Sequence, residues 1–84
     1  MDPEMIALVD ELLKELKEIE YPKFLKEENF SDTPIMRTAF YKALLIEMQE
    51  SPLDDADDQE YFENRVQELI EQFEKEAMEF ILSL

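Results

Sequence analysis

The sequence of 84 residues contains no glycine, no cysteine and no histidine. Without cysteine the chain can form neither a disulfide nor a thiolate nucleophile, and without histidine the triads, dyads and His-bearing metal sites of enzymes are impossible. Without glycine the usual phosphate-cradling loops cannot form. These absences exclude most classes of catalytic site. We therefore predict that the protein is not an enzyme and that it holds no cofactor and no metal ion.

Basic residues are scarce: the chain has eight Lys and Arg against 23 Asp and Glu, and its formal net charge is −15. Binding to DNA or RNA requires cationic patches that displace counterions from the phosphates, and the scattered cations do not supply one. The same charge repels anionic lipid surfaces, and no apolar run approaches the ~20 residues of a membrane span. The first residues are acidic, whereas a secretory signal begins with basic ones. We expect a cytoplasmic protein that contacts neither nucleic acid nor membrane directly.

Apolar residues make up 45% of the chain, which includes six Phe, three Tyr and five Met. Acidic disordered chains are poor in aromatic and large aliphatic residues, so this composition predicts a folded protein. The length suits a single domain over residues 1–84. No segment alternates between apolar and polar residues with period two, as half-buried strands do. The predicted fold is all-α, a small antiparallel bundle of three long helices with a fourth short one as an option.

The first helix is predicted over residues 3–20. Asp2 is a suitable N-cap, and Pro3 suits the first helical position. Apolar residues then recur at alternating spacings of four and three, as in an amphipathic helix: Met5, Val9, Leu12, Leu16 and Ile19. Pro22 disfavours helical backbone in the residue before it, so the helix should end just before this proline. For residues 22–32 an irregular segment and a short helix both remain open.

Two further helices are predicted over residues 34–50 and 57–83. Thr33 and Pro34 open the first of them, whose apolar residues surround much of the helix, so it is either central in the bundle or shared with a partner. The last helix has the most regular apolar pattern in the chain, at Phe62, Val66, Leu69, Phe73, Ala77, Phe80 and Leu84. The acidic run that precedes it, residues 54–58, lies where the helix dipole favours negative charge.

The length of the last helix carries a further inference. About 26 residues at 1.5 Å each give a helix of about 39 Å, whereas a compact globule of this size spans only about 30 Å. The final residues, 80–84, are apolar on most sides. Either the bundle is elongated, or the C-terminal helix docks on a second copy to form a homodimer.

Carboxylates are the only catalytic or metal-binding groups in good supply. Glu-x-x-Glu pairs such as Glu68 and Glu71 suit Mg²⁺ when two of them face each other, but the 16 Glu residues make this spacing frequent by chance. An EF-hand loop that starts at Asp55 needs a Gly at its sixth position and a Glu at its twelfth. The chain has Glu60 and Val66 there, so no calcium loop is predicted.

Small acidic helical proteins of this size include immunity proteins for nuclease toxins, antitoxins and phage inhibitors of host enzymes. The likeness lies in size, charge and fold class and not in a motif. We therefore expect a non-catalytic binding module that neutralises or inhibits a basic protein, such as a nucleic-acid-binding enzyme. In a sharper form of this hypothesis the carboxylates imitate phosphates, and the protein is a DNA mimic. Charge is densest near the start of the last helix, and the predicted partner-binding residues are Asp54, Asp55, Asp57, Asp58, Glu60 and Glu63, with Tyr61 as an aromatic anchor.

A second hypothesis belongs to a different class. The nearly all-round apolar middle helix and the apolar C-terminal residues would also suit a homo-oligomeric structural protein or an assembly chaperone. In that case apolar surface makes the contacts, and the acidity serves only solubility. Salt distinguishes the two hypotheses, because a complex held by surface charge weakens as ionic strength rises.

Overall fold

The computed structural model describes residues 2–84, and it confirms the all-α fold class. The elements are α1 (Pro3–Glu15), a π-helical turn (Leu16–Glu20), α2 (Tyr21–Glu28), α3 (Pro34–Glu50) and α4 (Ala56–Leu82). No strand occurs anywhere in the described chain. Because α1, the π-helical turn and α2 follow each other without a break, they form one long first helix, and the fold has three helices in all.

The prediction that the first helix ends before Pro22 is wrong. A proline has no N–H to donate, and its ring clashes with the carbonyl four residues earlier. The helix accommodates both problems by widening ahead of the proline, where the N–H of Tyr21 donates to the carbonyl of Leu16 in a π-type bond. The backbone of Tyr21 therefore keeps right-handed helical angles, φ −64° and ψ −49°, and the helix continues to Glu28.

The first helix ends at Asn29, which takes the left-handed conformation with φ 59°. Two backbone bonds close this end: the N–H of Phe30 donates to the carbonyl of Leu25 at 2.9 Å, and the N–H of Asn29 donates to that of Lys26 at 3.3 Å. This is the Schellman arrangement, in which glycine is the usual left-handed residue. In a chain without glycine, asparagine takes its place because its short polar side chain tolerates this conformation. Residues 22–32 are therefore mostly a continuation of the first helix.

Helices α3 and α4 run antiparallel and form the main helix pair. Thr33 caps α3, since its hydroxyl accepts the N–H of Met36 at 3.1 Å. The antiparallel direction follows from contacts at the two ends of the pair. Near one end the amide of Gln59 donates to the carbonyl of Met48 at 3.1 Å, and near the other Arg37 lies 3.4 Å from Glu76.

The core lies between the N-terminal half of the first helix and the α3–α4 pair. Its buried apolar residues are Val9, Leu13, Tyr41, Phe62, Val66 and Ile70. Phe62 and Val66 are completely enclosed. Next to this core a chain of ring contacts joins Tyr21, Phe24, Phe30, Phe40, Tyr41 and Phe73, with centroids 5.2–6.5 Å apart. The apolar middle helix α3 contributes only Tyr41 as a fully buried residue, while Ile35 and Ile46 remain exposed.

The molecule is elongated, with principal extents of 44 × 25 × 22 Å and a radius of gyration of 13.8 Å. The 27-residue helix α4 has an axial length of about 40 Å, so the long axis of the bundle accommodates it. Its last turn is nevertheless open to solvent, since Ile81 and Leu82 are exposed. Across residues 2–84 no helix has the length and apolar character that a membrane span requires.

Candidate functional site

Three of the predicted partner-binding residues form an open acidic patch at the start of α4. Asp54, Asp57 and Glu60 are all exposed. None of them has a Lys or Arg within ion-pair distance in the described chain. We call these three residues the acid surface. Their carboxylates are available to an incoming cation.

Asp55 is also exposed, but it has a structural role. Its side chain caps α4 by accepting the N–H of Asp57 at 2.8 Å and that of Asp58 at 3.3 Å. The first N–H groups of a helix have no partner within the helix, and a cap supplies one. The Asp55 carboxylate is therefore already engaged with its own backbone.

Glu63 and Tyr61 do not belong to the open patch. Glu63 is half-buried and accepts a hydrogen bond from the Gln59 amide at 2.9 Å. Tyr61 is half-buried too, and its hydroxyl donates to Asp10 at 2.9 Å, which joins α4 to α1. This hydrogen bond, with some burial, raises the pKa of Tyr61. Both side chains hold the fold together, so the expected role of Tyr61 as a free anchor is not what its contacts favour.

Asp58 departs most from the sequence-based expectation, because it is buried with only 6% of its surface exposed. Its carboxylate has neither a hydrogen-bond donor nor an ion-pair partner among residues 2–84. Burial raises the pKa of this carboxyl, and the nearby charges of Asp55, Asp57 and Asp2 raise it further. The apolar pattern of α4 does contain a signal: Asp58 precedes Phe62 by four residues and so occupies the core-facing stripe.

Asp58 lies in a groove of about 450 Å³ between α1 and the connection that leads into α4. We call it the acidic groove. Five apolar side chains line it, Met5, Leu8, Val9, Leu12 and Leu53, together with the carboxylates Asp54, Asp55 and Asp58. Gln59 fixes the connection, because its side-chain oxygen accepts the N–H of Leu53 at 2.8 Å. The groove thus combines apolar side chains, mostly from α1, with carboxylates from the connection and the first turn of α4.

A larger groove of about 740 Å³ lies between the first helix and the middle of α4. Half of the eight basic residues of the chain line it: Lys14, Lys17, Arg37 and Arg65. Four acids line it as well, namely Asp10, Glu18, Asp32 and Glu76. We call it the mixed groove. Its lining is balanced in charge, unlike that of the acidic groove.

The best-connected charges of the molecule lie in the mixed groove. Asp32 accepts a hydrogen bond from the hydroxyl of Tyr21 at 2.7 Å and two from the guanidinium of Arg37 at 2.9 and 3.2 Å. Arg37 also lies 3.4 Å from Glu76, and its guanidinium stands over the ring of Phe73, 5.8 Å from the centroid. The hydrogen bonds from Arg37 lower the pKa of Asp32. Burial and the bond to Asp32 raise the pKa of Tyr21.

Over the described part of the chain, no three carboxylates are arranged as they would be to hold a metal ion. Comparison with protein-family models, with curated proteins and with solved structures finds no match to this chain.

Proposed function

We propose that this protein is a non-catalytic, cytoplasmic binding module that neutralises or inhibits a basic protein. The observation that carries the proposal is the excess of unpaired carboxylates. Of 23 acidic side chains, only Asp10, Asp32, Glu68, Glu74 and Glu76 lie within 4.0 Å of a Lys or Arg nitrogen in the described residues. Apart from the buried Asp58 and the half-buried Glu63, the other carboxylates are exposed, and none has a Lys or Arg nitrogen within 4.0 Å among the described residues.

Such a surface acts first on the rate of association. Complementary charge steers two proteins into encounter and raises the association rate far above that of a neutral pair. The acid surface is the favoured contact, because Asp54, Asp57 and Glu60 are exposed together and are not engaged in the fold. The partner that fits is a protein with a cationic cleft, and enzymes that handle nucleic acids have such clefts because phosphates must be neutralised there.

The DNA-mimic form of the proposal draws on the first helix. Glu4, Glu11 and Glu15 of α1 are exposed, as is Glu18 in the π-helical turn. Spacings of seven and four residues place the first three on one face of α1, where they follow each other along the axis at about 10.5 and 6 Å. Carboxylates spaced in this way are a substitute for a row of phosphates on the surface of a nucleic acid.

The proposal is tested by capture from a lysate of the source organism. The tagged protein is immobilised, the lysate is treated with nuclease, and bound proteins are eluted in a salt gradient. We expect a basic protein that leaves at moderate salt and is displaced by added duplex DNA. A triple variant of the acid surface, with Asp54→Asn, Asp57→Asn and Glu60→Gln, should release it at distinctly lower salt.

The matched control neutralises three exposed carboxylates that belong neither to the acid surface nor to the row on α1, with Glu20→Gln, Glu27→Gln and Glu28→Gln. It removes the same amount of charge, so it separates a specific face from net charge alone. Equal losses in both triple variants would assign binding to the overall field. Recovery of nothing except untagged copies of the bait, or of a partner that survives high salt, contradicts the proposal and favours the homo-oligomeric alternative, whose contact would be the exposed apolar last turn around Leu82.

A further inference from the structure

We infer that the acidic groove is a receptor for a single arginine or lysine side chain of the basic partner. The inference rests on the proposed function and adds to it a contact point between the two proteins. The acidic groove offers what the acid surface alone does not, which is apolar surface next to a buried carboxylate.

The apolar lining suits the stem of a long basic side chain. Arginine and lysine carry three or four methylene groups, which bury well along apolar surface while the charged head reaches a polar group. Met5, Leu8 and Leu53 supply that surface in the acidic groove. Leu8 is 62% exposed, so a methylene stem laid against it would remove apolar area from water.

Asp58 supplies the group that the charged head would meet. A buried carboxylate without a partner is costly, and the cost falls when a cation binds to it. In the described residues, no side-chain oxygen or nitrogen that is fully enclosed lacks a hydrogen-bond partner. Because the carboxylate of Asp58 has no partner, its oxygens must keep some contact with solvent, and a ligand in the groove can reach them.

The neighbouring carboxylates cannot take the same role. Asp55 is engaged in capping α4. Asp54 lines the groove but is exposed to solvent, so its part is to attract the cation towards the opening. Asp58 is the acid of the groove that is both enclosed and without a partner.

The mixed groove contains the pairing of carboxylate and cation that the acidic groove lacks. In the mixed groove, the Asp32 carboxylate is held by the guanidinium of Arg37 with two hydrogen bonds. Guanidinium and carboxylate match each other in geometry and form strong charge-assisted bonds. At Asp58 the acid is present and the cation is missing, and a basic partner has cations in excess. A bare metal ion is a poorer match, because Ca²⁺ or Mg²⁺ needs about six oxygen ligands, and within residues 2–84 no group of three acids is arranged so that it could hold a metal ion.

The test uses the isolated protein and n-butylguanidinium, which has the stem and head of an arginine side chain. N-butylurea is the control ligand, since it has the same shape and no charge. In NMR titrations we expect n-butylguanidinium to move the side-chain carboxyl carbon of Asp58 and the backbone amides of Leu8 and Leu53. N-butylurea should leave these signals in place at the same concentration.

The variant Asp58→Asn keeps the shape of the side chain and removes its charge. It should weaken binding of n-butylguanidinium about tenfold, as expected for the loss of a charge-assisted hydrogen bond. The control Glu71→Gln, an exposed acid of α4 that does not line the groove, should change binding less than twofold, and circular dichroism verifies that both variants are folded. The inference is overturned if the two ligands give the same shifts in the wild-type protein, a comparison that needs no variant.

The partner experiment separates this inference from the proposed function. If the captured protein leaves Asp58→Asn and the wild type at the same salt, while the acid-surface variant releases it early, the receptor inference fails and the proposed function stands. If no basic protein is captured at all, the proposed function fails. If Asp58→Asn alone lowers the eluting salt as far as the triple acid-surface variant does, the groove is a principal contact.

Discussion

Asp32 and Asp58 are both acidic residues next to the packed interior, and they have opposite surroundings. Asp32 is held by Tyr21 and Arg37, and its pKa is lowered. Asp58 is more deeply buried and has three acids for neighbours, and its pKa is raised. The first carboxylate stabilises the fold, whereas the second is kept at a cost. In a chain of net charge −15, in which most acids have no cation nearby, the informative acid is the one that is buried without a partner.

The largest loss of stability is expected from a cavity in the buried core. Phe62 is completely enclosed and lies one helical turn after Asp58, whereas Phe30 belongs to the aromatic cluster near Asp32 and is half exposed. Phe62→Ala should lower the free energy of unfolding by about 3–5 kcal/mol, because it removes buried area and leaves a cavity. Phe30→Ala should cost about 1 kcal/mol.

Urea denaturation measures both changes. Equal losses for the two phenylalanines would contradict the placement of the core. Phe30 would then be packed as tightly as Phe62.

A smaller loss of stability is expected from removing the hydroxyl of either tyrosine that donates to an aspartate, Tyr21 or Tyr61. Tyr21→Phe deletes the hydroxyl of a buried tyrosine, which donates to Asp32 at 2.7 Å, and it should cost about 1 kcal/mol. Tyr61→Phe deletes a bond of similar length from a half-buried tyrosine to Asp10, and it should cost less because water reaches that hydroxyl more easily.

Chemical denaturation at pH 7 provides the measurement, and the same experiment at low pH sharpens it. Protonation of Asp32, as the pH falls through its lowered pKa, weakens the bond from Tyr21, so the cost of Tyr21→Phe should shrink in acid. A larger loss for Tyr61→Phe than for Tyr21→Phe would mean that the bond at Asp10 is the more important link between helices.

The smallest effect is expected from neutralising the two acids themselves, and the two effects should have opposite signs. The folded-state pKa of Asp58 is raised above its ordinary value of 3.8. Its ionised form therefore destabilises the fold, an effect that is absent below the ordinary value and grows as the pH rises through the raised one. Asp58→Asn should raise Tm at pH 7 and change it little at pH 3.

For Asp32 the sign reverses. Its pKa is lowered from 3.8 by the bonds from Arg37, so its contribution to stability is present above that value and is lost as the pH falls through the lowered one. Asp32→Asn should lower Tm at pH 7. Thermal melts of both variants from pH 3 to pH 7 check the comparison directly, and two changes of the same sign would refute it.

Much of the fold could be predicted from local residue patterns. The apolar spacing from Phe62 to Phe80 and the acidic run before it indicate α4, and Thr33 with Pro34 marks the start of α3. These signals are local, because a cap or a helical stripe needs only a few neighbouring residues. The end of the first helix could not be predicted from such a local rule. The rule for a residue before proline does not include the wider turn that begins at Leu16 and lets the helix continue past Pro22.

That the start of α4 binds a partner stays a prediction. Charge density drew attention to this segment, where Asp54, Asp57 and Glu60 are exposed. It could not distinguish these residues from Asp58, which is enclosed, or from Tyr61, which bonds to a residue of another helix. Burial and hydrogen bonding depend on what packs against a side chain, and that is set by the partner helix.

The helical fold class, the turns without glycine and the strong negative charge follow from composition and local residue patterns, because propensity, capping residues and net charge are properties of short segments and of composition. The packing of the helices sets which carboxylates have a cation or a hydrogen-bond donor beside them. Arg37 reaches Glu76 because α3 and α4 pack side by side in antiparallel directions. Asp58 is left without a cation because the connection into α4 and the apolar face of α1 enclose it. The physical reason is that the cost of a charge depends on the water and the countercharges around it, and these are known only once the helices are packed.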